Sequence, residues 1–264
     1  MSSKQQQAAL LAVAMQLVGC VCAVMLALCA ALGVTLMREG HYAASLQKGE
    51  YFEYVQSAAL QGCTRQAQQA GLSAAPIESR VTPEAVRAGV LHRADALWHG
   101  ATQDATSPFD GLGTEYQDTL GSSPADSMML ELACEEQWHN ATAAPLSAVL
   151  ASMQQYRWVL RLSGWLCALL LAGCGVLQFL LAECWNDVQQ GVQRIALGTA
   201  AACAVMGLGL YFGTGWQSWM PVSDPAYQAF CCWFGGFPPA MAACGVLLAV
   251  IMCIITECMK NLTK

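Results

Sequence analysis

Four long stretches without a charged side chain constrain this chain more than anything else in it. Residues 8–37, 162–182, 195–213 and 230–256 contain no Asp, Glu, Lys, Arg or His. A hydrocarbon core about 30 Å thick takes roughly 20 apolar helical residues to cross. Buried helices of water-soluble proteins do not recur at this length four times in one chain. The sequence therefore predicts an all-α membrane protein, a four-transmembrane-helix bundle. Composition agrees: only 11% of residues are charged, against about 25% in soluble domains. The formal net charge of −6 argues against nucleic acid as a partner, because phosphate binding needs a concentrated basic surface.

The four spans divide the chain unequally. Residues 1–7 precede the first span (8–37), which is twice the length of a signal-peptide apolar core and is read as uncleaved. Residues 38–161 form one large segment before the second span (162–182). Residues 183–194 join it to the third (195–213), residues 214–229 join that to the fourth (230–256), and 257–264 close the chain. Pro238-Pro239 follow Gly235-Gly236, so the fourth helix either starts or kinks there.

Lys4, Arg194, Lys260 and Lys264 place both termini and the second loop in the cytoplasm, while Arg38, Lys48, Arg157 and Arg161 at the ends of the large segment pull the other way. The tripeptide Asn140-Ala141-Thr142 is an N-glycosylation sequon, and glycosylation is lumenal. A second sequon, Asn261-Leu262-Thr263, lies three spans away and hugs a helix end. Taking Asn140 as the modified site puts residues 38–161 outside, in the plasma membrane or a secretory-pathway membrane. Trp158, Trp165, Trp185, Trp216, Trp219 and Trp233 fall at span boundaries, where amphipathic rings favour headgroup level.

Small residues recur at helical spacing in the spans. Gly19, Ala23, Ala27 and Ala31 form one stripe and Gly164, Ala168 and Ala172 another; Gly209 with Gly213 and Gly245 with Ala249 are pairs of the same kind. Such stripes let backbones approach, so dispersion holds helices together inside lipid. They serve a self-packed bundle or a homo-oligomer equally. Gln16 and Gln178 are the main polar side chains within spans and are candidates to hydrogen-bond each other.

Of fourteen cysteines, Cys63, Cys134, Cys231 and Cys232 lie outside on this topology and are the disulfide candidates, with Cys63–Cys134 the first choice. Pairing of either with Cys231 or Cys232 is the competitor. Cys184 and Cys258 sit at the cytoplasmic border and are palmitoylation candidates. No zinc-type cysteine spacing, GxSxG, HExxH or P-loop occurs, so neither a metal, a cofactor nor a catalytic role is expected.

The large segment, 38–161, is expected to be a mainly helical extracellular or lumenal domain. Residues 43–70 are Ala- and Gln-rich, and Gly71 is placed to end that helix. Thr82-Pro83-Glu84 is a helix start, followed by Val86, Val90, Leu91, Ala94, Leu97 and Trp98 on one face. Residues 100–123 read as an exposed, turn-rich stretch, Ser127 opens a further helix, and a helix after Pro145 continues from Leu146 into the second span. The segment carries fourteen acids against eight bases.

One span, a large outer loop and three close spans is similar to claudin-like tetraspan proteins in layout alone. It departs from that family's loop motif, a Gly-Leu-Trp followed by two nearby cysteines: here Gly111-Leu112 is followed by Gly113, Cys63 and Cys134 lie 71 positions apart, and no family is assigned. The functional expectation is a non-catalytic tetraspan protein that binds a membrane or extracellular protein partner, as an adhesion, auxiliary or scaffold subunit. The alternative is an oligomeric channel.

Overall fold

The computed structural model describes residues 3–48, 50–99, 107–143, 147–182, 185–213 and 225–262. Every regular element among them is a helix: α1 (Ser3–Val34), α2 (Glu39–Gln47), α3 (Tyr51–Gln69), α4 (Ala75–Arg80), α5 (Pro83–His99), α6 (Leu112–Leu120), α7 (Pro124–Ala141), α8 (Ser147–Gln155), α9 (Arg157–Leu181), α10 (Trp185–Phe212), α11 (Pro225–Phe234) and α12 (Phe237–Leu262). Four candidate membrane spans, Leu10–Val34, Arg157–Leu181, Trp185–Phe212 and Pro225–Asn261, are long and apolar enough to cross a bilayer. The chain forms two compact units.

The first unit contains α1, α9, α10 and most of the chain from Trp233 onward. Its packing is inside-out relative to a water-soluble protein. Small side chains are in: Ala23, Ala27, Ala31, Cys203 and Ala196 are buried. Large ones are out, Leu197 at 72% and Trp165 at 73% exposure among them. Lipid is as apolar as leucine, so only close backbone approach distinguishes an inner face from an outer one. Hydroxyls within the helices are satisfied locally, as lipid requires: Thr35 and Thr199 donate to the carbonyls of Ala31 and Ile195 at 2.6 and 2.7 Å.

α10 packs most extensively on α12, and α1 lies against α9, α10 and α12. At the α10–α12 crossing, a Cβ on Gly207 would stand 2.7 Å from the Pro238 carbonyl oxygen and 3.2 Å from Ala242 Cβ. Gly245 is pressed in the same way against the Cys203 side chain. On α1, Gly19 accommodates Ile195, whose Cδ1 would lie 2.8 Å from an added Cβ.

Three boundaries differ from the sequence expectation. Residues 185–194, read as part of a loop, are the first turns of α10, where Asp187 faces the favourable positive end of the helix dipole. α9 begins at Arg157 rather than 162, and residues 257–262 continue α12. In the 214–229 link, 225–229 belong to α11 and the rest lies outside the described residues. The fourth span resolves into α11 and α12, separated by Gly235-Gly236. Both prolines fall in the first turn of α12, where their missing amides leave no bond unmade.

The second unit holds α2 to α7, α8 up to Gln154, and the chain from Met220 to Cys232. α3 is its central helix, touching α2, α4, α5 and α7, and α6 lies on α7. The expected 43–70 helix is divided into α2 and α3. Gly71 does end it, at φ 70°, with the Leu72 amide returning to the Ala67 carbonyl at 2.8 Å. Thr82 caps α5, its Oγ1 accepting from the Ala85 amide at 3.2 Å.

Residues 100–123 are not all turn: α6 runs through 112–120, and Phe109, Leu112 and Tyr116 are fully buried. Their i, i+3, i+7 spacing is a helical core pattern that the surrounding Gly, Ser, Thr and Pro residues masked. Ser127 does not open α7. It is buried inside it, with Ser123 at the N-cap position and Pro124 in the first turn. Pro145 and Leu146 lie outside the described residues; beyond them, α8 and α9 are separated by Tyr156 alone.

Candidate functional site: an outer face on α7

Two charged side chains brace the second unit. Arg80, at the end of α4, directs its guanidinium at three acceptors: Glu115 Oε2 at 2.7 Å, and the Pro108 and Asp110 carbonyls at 3.0 and 2.9 Å. Its planar fork fixes the 107–112 turn onto α6. Glu131 of α7 performs the complementary task, accepting the Gly111 and Gly113 amides at 3.0 and 2.7 Å. A carboxylate thus meets the positive N-terminus of α6. Gly113 is needed there, because an added Cβ would stand 2.7 Å from Glu131 Oε2 and 3.2 Å from the Ser127 carbonyl.

Around this frame, the Tyr116 hydroxyl donates to the Ser73 carbonyl, and burial pushes that phenol up to about 12. Burial likewise raises the Tyr42 phenol. Phe109 stands edge-on to Trp138, ring centroids 6.1 Å apart. Gly89 on α5 makes room for the same indole, with Trp138 Cζ2 only 2.8 Å from where a Cβ would be.

The first half of α7 carries apolar residues on both sides. Ser127, Leu130, Cys134 and Trp138 form its buried face. On the opposite side Met128, Met129 and Leu132 share an arc of about 100°, at 100° per residue, and are 63%, 69% and 52% exposed. An exposed apolar cluster on a braced helix of an acidic domain is a feature of interaction surfaces. Methionine suits such a surface because its unbranched, polarisable chain adapts to a partner.

Cys63 and Cys134, the first-choice pair, are brought together. Both are free thiols with no exposure, and the Cys63 thiol donates to the Cys134 carbonyl at 3.7 Å across the α3–α7 contact. Cys231 and Cys232 are adjacent and half-buried on α11. Asn140 is exposed at the end of α7, whereas Thr142 of the same sequon is buried, donating to the Trp138 carbonyl at 2.7 Å. Cys258 is exposed on α12; Cys184, Trp216 and Trp219 lie outside the described residues. Trp158 and Trp165 are open to the surroundings, but Trp233 is buried, so it is a packing residue rather than an interfacial one.

Of the packing positions, Gly19, Ala23 and Ala27 are buried on α1, and Gly245 is buried on α12 with Ala249 half-buried. Gly164 lies 3.7 Å (as an added Cβ) from Cys29 Cβ, Ala168 is half-buried and Ala172 exposed. Gly209 and Gly213 are exposed, and Gly209 has no neighbour in reach of a Cβ. The close approach on α10 is made two residues earlier, at Gly207. Gln16 and Gln178 do converge, on Gly191: an added Cβ there would meet Gln178 Oε1 at 2.9 Å and Gln16 Nε2 at 3.6 Å. Gln178 is buried with no hydrogen-bond partner for either amide atom.

One constellation was invisible in the sequence. His99 Nδ1 lies 3.2 Å from Asp95 Oδ1 on α5, and its Nε2 lies 4.0 Å from Glu39 Oε2 on α2. The i, i+4 spacing of Asp95 and His99 hints at half of it; the Glu39 contribution depends on how α2 meets α5. All three side chains are exposed, which makes this a surface cluster of one imidazole and two carboxylates.

No protein-family model, curated protein or solved structure matches the chain.

Proposed function

We propose that this chain is a non-catalytic four-span integral membrane protein that displays its α2–α7 domain on the extracellular or lumenal side and docks a protein partner on the outer face of α7. The observation that carries this reading is the exposed Met128, Met129 and Leu132 cluster, held by the Arg80 and Glu131 braces. In the spans, the described polar side chains offer no relay of ionisable groups, so the membrane part serves as anchor. The orientation rests on Asn140 and on Lys4, Arg194 and Lys260.

The test is photo-crosslinking of the full-length protein in its own membrane, with a photo-reactive side chain at position 129. A product of defined mass should form and disappear when Met128→Glu and Leu132→Glu are added, with helicity unchanged. Crosslinking indifferent to those substitutions, or substrate turnover by the purified protein in liposomes, would overturn the reading.

A second reading, an oligomeric channel, draws on Gly209 and Gly213. These small residues are exposed on α10 and offer a close-packing surface to another copy. Native mass spectrometry and current recording on reconstituted protein separate the two: a ring of subunits that conducts ions supports the channel.

A further inference from the structure

An open slot of about 390 Å³ runs between α1 and α9. Leu26, Ala30 and Gly33 line it on one side, and Leu160, Gly164 and Ala168 on the other. It exists because four of these six residues, Ala30, Gly33, Gly164 and Ala168, are too small to fill the space; a Cβ on Gly33 would meet nothing within 4 Å. Its depth is set by the helix rise. From Arg157 to Ala168 the slot covers about 16 Å, at 1.5 Å per residue, which is close to half of a hydrocarbon core about 30 Å thick. The slot therefore matches one leaflet.

Its two ends differ chemically. The deep end is apolar. The other carries Arg157 and Arg161, one helical turn apart, both lining the slot and both exposed. Neither has a carboxylate partner among the described residues. The first turn of α9 has no acidic residue and Tyr156 provides no side-chain cap. Arg157, the first residue of α9, is a cation at the positive end of the helix dipole, an unfavourable placement that a bound anion relieves. Trp165, 73% exposed, lies against the same slot.

From this pairing of a leaflet-deep apolar slot with two unpaired guanidiniums at its headgroup end, we propose that the α1–α9 groove is a binding site for one anionic glycerophospholipid. Its phosphate sits between Arg157 and Arg161, and one acyl chain lies along Gly33, Gly164 and Ala168. Charge complementarity selects the headgroup, because two guanidiniums attract a lipid of net negative charge more strongly than a zwitterionic one that brings its own cation. The absent side chains on α1 and α9 admit the tail. The site rests on insertion of the apolar helices in a bilayer and is independent of the partner-docking reading.

The test uses the purified, delipidated full-length protein in neutral detergent. Phosphatidylglycerol and phosphatidylcholine with the same acyl chains are added together, and bound lipid is counted by native mass spectrometry. One phosphatidylglycerol should be retained in preference to phosphatidylcholine. The double variant Arg157→Gln, Arg161→Gln should lose that preference by about thirtyfold, the combined effect of two cations at a membrane surface. Arg65→Gln with Arg87→Gln, an equal charge change at exposed positions of the other unit, should leave it intact.

Gly33→Leu fills the slot without touching the guanidiniums and should lower retention of phosphatidylglycerol; its exposed position leaves folding undisturbed, as circular dichroism will verify. Equal retention of the two lipids by the wild-type protein would overturn the site, as would an unchanged preference in the Arg157, Arg161 variant. Displacement of bound lipid by millimolar inorganic phosphate would make this a free-phosphate site and overturn the lipid assignment.

Discussion

Cys63 on α3 and Cys134 on α7, 71 positions apart in the chain, meet in the interior of the second unit with the Cys63 thiol donating to the Cys134 carbonyl at 3.7 Å. Neither has any exposed surface. Between the side chains themselves, a hydrogen bond donated by the Cys134 thiol to the Cys63 sulfur pulls the Cys63 thiol down and pushes the Cys134 thiol up, while burial pushes both up. The pair is thus placed to be joined, yet shielded once the domain has folded.

We predict that the protein made in an oxidising compartment carries a Cys63–Cys134 disulfide, formed during folding by exchange with a protein disulfide that takes up the two electrons and two protons. Peptide mapping without reduction should recover the Cys63 and Cys134 peptides linked. Recovery of either linked to Cys231 or Cys232 would refute the pairing. Loss of a bond closing so long a loop typically costs about 2–5 kcal/mol, so Cys63→Ser with Cys134→Ser should lower the unfolding midpoint of the second unit. In protein made under reducing conditions, the two thiols should resist alkylation until denaturant is added.

Gly207 and Gly209 should respond differently to the same substitution. Gly207→Val drives a side chain into the Pro238 backbone and Ala242, and overpacking of this kind costs about 1–3 kcal/mol. Gly209→Val points into open space and should change stability by less than about 0.5 kcal/mol. Thermal unfolding in detergent, followed by circular dichroism, reads both. Equal loss in the two variants would contradict the α10–α12 crossing described above. A fall in oligomer size with Gly209→Val alone would favour the channel reading.

A pH effect is expected from Glu135 on α7. Its carboxyl is raised above the usual range by burial first, then by repulsion from Asp110 and Glu131, and by a hydrogen bond with Asp110. The folded state therefore binds this proton more tightly than the unfolded chain does. Its contribution to stability is fully present below the unfolded value and is lost as pH rises through the folded one. At neutral pH the charged carboxylate is a liability, so Glu135→Gln should raise the unfolding midpoint there. The advantage should shrink as the buffer is made mildly acidic. A midpoint difference that does not vary with pH would rule out this origin.

The parts of the fold legible in the sequence were those governed by local or one-dimensional physics. Bilayer thickness sets the span length, so the four apolar runs announced four candidate spans. Gly71 at positive φ and Thr82 ahead of Pro83 marked helix ends because capping is a local matter. α6 escaped notice because its flanking residues are turn formers, and its stability comes from Arg80 and Glu131, far away in the chain. The α7 outer face was also hard to see. With Met128, Met129 and Leu132 on one side and Leu130, Cys134 and Trp138 on the other, apolar residues mark two opposite faces, and the polar residues that share the outer one, Glu136, His139 and Asn140, come only in the last turns.

The same division separates what each level decided. By itself the amino-acid sequence determined that this chain is helical, that four of its stretches match a bilayer, and that small residues hold them together, since each follows from side-chain volume, charge and periodicity. Only the tertiary structure decided which small residues do so, Gly207 and Gly245 rather than Gly209 and Gly213, and which small residues leave a slot instead. It also decided that Cys63 meets Cys134 and that Arg157 and Arg161 crown a groove. These depend on the rotation of one helix against another, which periodicity along a single helix leaves undetermined.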